Sequence, residues 1–159
     1  MDKRTKLIND VKEYFKIHEF VGRKTYDKHG ESAWKFFDDD LLKCILIIRK
    51  ELNRPITINN WKYNGQFSQR GLRTTLQQLY KSKISRGILY LSAHTFGKAV
   101  DFDVKGMSAT DVRKWIVDNA DLFPCKIRLE RNLKGKPISW VHLDTFWEEK
   151  NPKVYEFDV

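Results

Sequence analysis

Residues 99–104 read Ala99-Val100-Asp101-Phe102-Asp103-Val104. Val100 and Phe102 fall on one face of a strand, Asp101 and Asp103 on the other. Such a strand needs pairing partners, and the chain supplies them downstream. Residues 126–130 and 138–144 alternate in the same way, with residues 132–137 between them as a hairpin loop. Upstream, the period becomes helical. Leu7, Ile8, Val11, Tyr14 and Phe15 predict an N-terminal helix, and residues 22–32 read as a loop. Asp38, Asp39 and Asp40 precede Leu41, Leu42, Ile45, Leu46 and Leu52, which predicts a helix ending near Asn53. Pro55 opens a short strand over residues 56–59, Asn64-Gly65 is a turn, and Leu72, Leu76 and Leu79 predict a short helix. Ser108 caps a helix carrying Val112, Trp115 and Ile116. Helices in the first half and antiparallel strands in the second predict one α+β domain over residues 1–159, its helices packed on a small antiparallel sheet.

Composition agrees with a folded domain. A chain of 159 residues, 41% hydrophobic, has the material for one core and is too short for two ordinary domains. With 30 Lys and Arg against 21 Asp and Glu, the net charge of +9 favours anionic partners, such as nucleic acid, acidic headgroups or cell-wall polymers. Cys44 and Cys125 form no CxxC pair, which excludes a thiolate zinc finger, and they read as free buried thiols. No apolar run is long enough to span a membrane, and the charged start is not a secretory signal. The expectation is a protein made in the cytoplasm and delivered elsewhere by another agent.

The chemistry concentrates in two segments. In residues 92–101, a bend at Gly97 would bring His94 to Asp101; in residues 140–144, Trp140, His142 and Asp144 share one strand face. Two histidines and one aspartate make a three-ligand set for Zn²⁺ with a fourth position open. On spacing alone, histidines satisfied within a core remain the competing reading. His18-Glu19 lacks the second histidine of an HExxH site, since residue 22 is Gly.

Ser92-x-His94-x-x-Gly97-x-Ala99-x-Asp101, followed by Trp140-Val141-His142, resembles the zinc D-Ala-D-Ala carboxypeptidase family, cell-wall peptidases sharing a fold with the hedgehog signalling domain. Residues 55–61, Gly65-Gln66-Phe67 and Arg70-Gly71-Leu72-Arg73 resemble its phage and prophage branch, so the likeness spans residues 35–146. The resemblance implies Zn²⁺ on His94, Asp101 and His142, and action on peptidoglycan stem peptides by an endolysin-like enzyme released to the wall. It implies that Arg73, or Arg70 in its place, holds a substrate carboxylate, a task suited to a planar guanidinium. Ser92 either hydrogen-bonds a ligand or forms a turn.

A general base is also implied. The family's usual carboxylate, three residues before the last histidine, is replaced here by Ser139, and Glu130 matches the glutamate of the phage-like branch. A regular hairpin closing near Lys134 would set Glu130 opposite Ser139, about 10 Å along the strand from His142. Asp144 is the competing base, although a carboxylate beside a ligand histidine commonly orients its ring. Two other functions stay open. One is a zinc-stabilised binding module without catalysis. The other is a nucleic-acid-binding domain using Lys126, Arg128, Arg131, Lys134 and Lys136, disfavoured because aromatics are not interleaved with these cations.

Overall fold

A computed structural model describes residues 2–159 of the chain. Helix α1 (Lys3–Lys12) is capped by Asp2, whose side chain accepts from the Thr5 backbone N–H, and a short α2 (Ile17–Phe20) follows. The longest helix, α4 (Asp39–Leu52), has the signals its sequence carries. The Asp38 side chain accepts from the N–H groups of Asp40 and Leu41, Arg49 and Lys50 occupy the last turn, and Asn53 closes it in the left-handed region at φ 46°. Its buried face, Leu41, Leu42, Ile45 and Ile48, packs in one core with Val100, Phe102, Ile127 and Leu129 from the sheet. Helix α6 (Ala109–Asp118) starts at Ser108, whose Oγ accepts from the Asp111 N–H, and adds Val112 and Ile116 to that core.

The sheet has five strands in the order β1-β2-β4-β3-β5. They are β1 (Ile56–Thr57), β2 (Ala99–Val104), β3 (Ile127–Leu133), β4 (Lys136–Asp144) and β5 (Val154–Asp158). β2 pairs antiparallel with β1 and β4, and β3 antiparallel with β4. The expectation of a purely antiparallel sheet is corrected at one edge, where β5 runs parallel to β3. Parallel neighbours are distant in sequence, and in residues 154–158 the two half-buried positions, Val154 and Phe157, are three apart, so no alternation announces the strand.

The β3–β4 hairpin does not keep one register. Near its tip Leu133 faces Lys136 and Asn132 faces Pro137, closed by Lys134 and Gly135 at φ 51° and 74°. Beyond an irregularity between Glu130 and Asn132, Glu130 faces His142 instead of Ser139. Two steps along β3 are matched by five along β4, so the extra residues of β4 advance His142 to Glu130.

Two other expectations are corrected. Residues 22–32 are helical: α3 (Arg23–His29) and then a 3-10 turn, Gly30–Phe36. No residue of α3 is buried, so it carries no apolar stripe for periodicity to detect. The helix expected over Leu72, Leu76 and Leu79 lies later, as α5 (Gln78–Ser85). The Leu72 N–H donates to the Phe20 carbonyl and the Arg73 N–H to the His94 carbonyl, so this backbone bridges other elements and cannot coil on itself. No helix among the described residues is long and apolar enough to cross a membrane.

Candidate metal centre

His94 sits in a 3-10 turn, Ala93–Phe96, ended by Gly97 at φ 66°. A side chain at Gly97 would run into the Phe36 carbonyl, so both the conformation and the space require glycine there. The His94 ring is buried at 2% exposure, and its Nδ1 lies 2.8 Å from the Gly71 carbonyl oxygen. A carbonyl only accepts, so Nδ1 carries the proton and Nε2 presents a lone pair. That Nε2 is buried without a hydrogen-bond partner among the described residues and lies 3.3 Å from Oδ1 of Asp101.

Asp101, on β2, is pinned from the other side: Arg73 Nη2 donates to its Oδ2 at 2.8 Å, which leaves Oδ1 turned to the histidines. His142 faces Asp101 across the β2–β4 ladder, with Nδ1 2.7 Å from the same Oδ1 and Nε2 donating to Asp144 Oδ2 at 2.9 Å. Asp144 also accepts from Arg128 Nε and Nη2 at 2.8 and 3.1 Å, and from the Phe146 N–H at 2.9 Å. All lone-pair positions of that carboxylate are therefore taken. One ligand atom each from His94, Asp101 and His142 lies within 4.8 Å of the others, and all three residues are buried.

The charges follow from this packing. Burial pulls the His94 imidazole below its ordinary value, so it is neutral and available as a ligand. Burial alone would raise the Asp101 carboxyl, but the hydrogen bond and charge of the His142 ring hold it well below the usual carboxylate range. For His142 burial works downward, yet hydrogen bonds to Asp101 and Asp144 push it up to about 10. Without a metal, a proton occupies the space between His142 and Asp101.

Two imidazole nitrogens and one carboxylate oxygen suit a divalent transition ion. The orphaned and buried Nε2 of His94, facing another acceptor, is the feature a cation would resolve. Gly71, Asp144 and Arg73 fix the ligands from behind, as metal sites require.

A cleft of about 690 Å³ opens over these ligands, with Glu130, Trp140, Trp147 and Phe157 among its walls. The Glu130 carboxylate carries no hydrogen bond among the described residues, and burial raises it, partly offset by His142. Ser92 lines the cleft while its carbonyl accepts from Thr95, which fits its turn-forming role. Arg73 also lines it, but its Nε and Nη1 are engaged by the Gln69 carbonyl and the Tyr90 hydroxyl, at 2.8 and 2.9 Å. Arg70 is not brought to the cleft: its Nη1 pairs with Asp103 Oδ2 at 2.5 Å and its guanidinium lies over the Phe67 ring. In the basic run, Arg128 and Arg131 are paired with Asp144 and Asp158, so that stretch is not a row of free cations.

The sequence places Arg128 only in the basic run, not on Asp144, and Tyr90, Gln69 and the walls contributed by Trp147 and Phe157 are not singled out at all. Arg128 had a readable signal, since it stands two residues before Glu130 on the same strand face. Tyr90 and Phe157 had none. No family model, curated protein or solved structure matches this chain.

Proposed function

We propose that the chain is a zinc-dependent peptidase of the hedgehog/D,D-peptidase type, acting on peptidoglycan stem peptides as a carboxypeptidase or endopeptidase. The observation that carries this reading is the lone pair of the buried, unpartnered His94 Nε2, aimed at Oδ1 of Asp101 beside the His142 ring. His94, Asp101 and His142 would hold the ion. Bound zinc supplies Lewis acidity, which lowers the pKa of a water toward about 7 and polarises a scissile carbonyl.

The chain's own groups divide the remaining work. Glu130, unpaired and facing His142 across the ladder, takes a proton from the attacking water and returns it to the leaving amine. Asp144 has no free lone pair and orients His142 through Nε2. Arg73 has three of its five donors engaged, and the remaining two are left for an anionic substrate group at the cleft wall. The choice of a wall peptide as substrate rests on the resemblance of residues 92–101 and 140–142, and the +9 charge suits anionic wall polymers.

The test joins metal content to turnover. Purified chain should bind one equivalent of zinc and release shorter peptides from muropeptides, read by mass spectrometry. Full zinc occupancy with intact muropeptides would make the site a binding module instead.

A further inference from the structure

Cys44 and Cys125 stand 81 residues apart in sequence, yet their sulfurs lie 3.9 Å apart. Cys44 is buried in the second turn of α4, against the sheet. Cys125 is half-buried, in a bend two residues before β3 begins. A disulfide needs the sulfurs at about 2.05 Å, so about 2 Å of closing is required. Cys125 lies outside regular secondary structure, where side-chain and local backbone rotation can supply that movement. The two thiols are also unlike. The contact with Cys125 together with burial pushes the Cys44 thiol up. The same contact pulls the Cys125 thiol down, against its partial burial and with help from the Lys153 ammonium.

We propose that Cys44 and Cys125 form a reactive dithiol site that a low-molecular-weight disulfide of the glutathione type converts to an intramolecular disulfide. The Cys125 thiolate attacks one sulfur of the oxidant, forming a mixed disulfide and expelling one thiolate. The Cys44 sulfur then attacks the Cys125 sulfur, the second oxidant thiolate leaves, and the Cys44 proton goes to it. The oxidant is reduced to two thiols while the two cysteines become one disulfide. The bond ties α4 to the start of β3, the strand that carries Arg128 and Glu130. This proposal is independent of any metal or peptidase activity.

The test uses the full chain incubated with excess oxidised glutathione, then denatured and alkylated. Intact mass should show alkylation falling from two thiols to none, with a mass 2 Da below the reduced chain. Proteolytic peptides should join residue 44 to residue 125. In Cys44→Ala the reaction should stall with one glutathione retained on Cys125. Two alkylated thiols after oxidation, or a cross-link only between separate chains, would overturn the site. Because the wild-type result stands alone, failure of Cys44→Ala to fold leaves the proposal testable.

Discussion

Besides Asp101, two carboxylates border His142, Asp144 and Glu130, and they are in opposite conditions. On the Asp144 side every acceptor position is filled, by His142, Arg128 twice and the Phe146 amide, and the residue is fully buried. The Glu130 carboxylate makes no hydrogen bond among the described residues, borders the cleft, and is raised by burial. The comparison teaches that role follows from saturation rather than from residue type. A satisfied carboxylate holds its neighbour still, whereas an unsatisfied one has capacity to exchange a proton.

Exchanging Glu130 breaks the comparison most severely. Glu130→Gln should lower kcat on muropeptides by about 10²- to 10⁴-fold with zinc content unchanged. Wild-type turnover in that variant would remove Glu130 from the chemistry. Asp144→Asn should do the reverse, weakening zinc binding by about 10- to 100-fold by disturbing His142, as read by competition with a chromophoric chelator. Unaltered affinity would mean that Asp144 does not orient the ring.

A third test sharpens the contrast through pH. His142 in the metal-free protein is raised to about 10 and is protonated near neutrality, so zinc must displace that proton. Affinity should therefore rise about tenfold per pH unit from roughly pH 6.5 to 8.5, before zinc hydroxide intervenes. A flat profile would mean that His142 is already neutral. The sign in the metal-free protein runs the other way: the stabilisation from protonated His142 is complete below its unfolded value near 6.5 and is lost as pH rises through about 10. Gly97→Ala touches neither carboxylate. It should lower Tm by a few degrees, from about 1–2 kcal/mol of backbone strain plus the clash with Phe36, and loosen His94. An unchanged Tm would show that the turn has room to adjust.

Much of this arrangement was readable before any coordinates. The acidic start at Asp38–Asp40, the helix end near Asn53, the cap at Ser108 and the alternation of residues 99–104 are local signals, and each appears in the structure where it was expected. Bringing His94, Asp101 and His142 together was also anticipated. The rest was hidden for physical reasons. Helix α3 buries nothing and so has no stripe, β5 pairs with a strand remote in sequence, and residues 72–73 are held by bonds to Phe20 and His94 that no local pattern encodes. Alternation predicts which face a residue takes, but not its partner, so Glu130 was expected opposite Ser139 until the irregular pairing placed it opposite His142.

That slipped pairing has a consequence for how the molecule can be altered. The tip at Lys134 and Gly135 runs in one frame and the ligand-bearing half of the same hairpin in another, separated by the irregularity beside Arg131. The turn can thus be recoded residue for residue, for instance to Asn-Gly, without transmitting a frameshift to the metal ligands. Removing three residues between Pro137 and His142 would even out the two strands and still leave Glu130 opposite His142, so the length of the tip can change while the ligand frame stays.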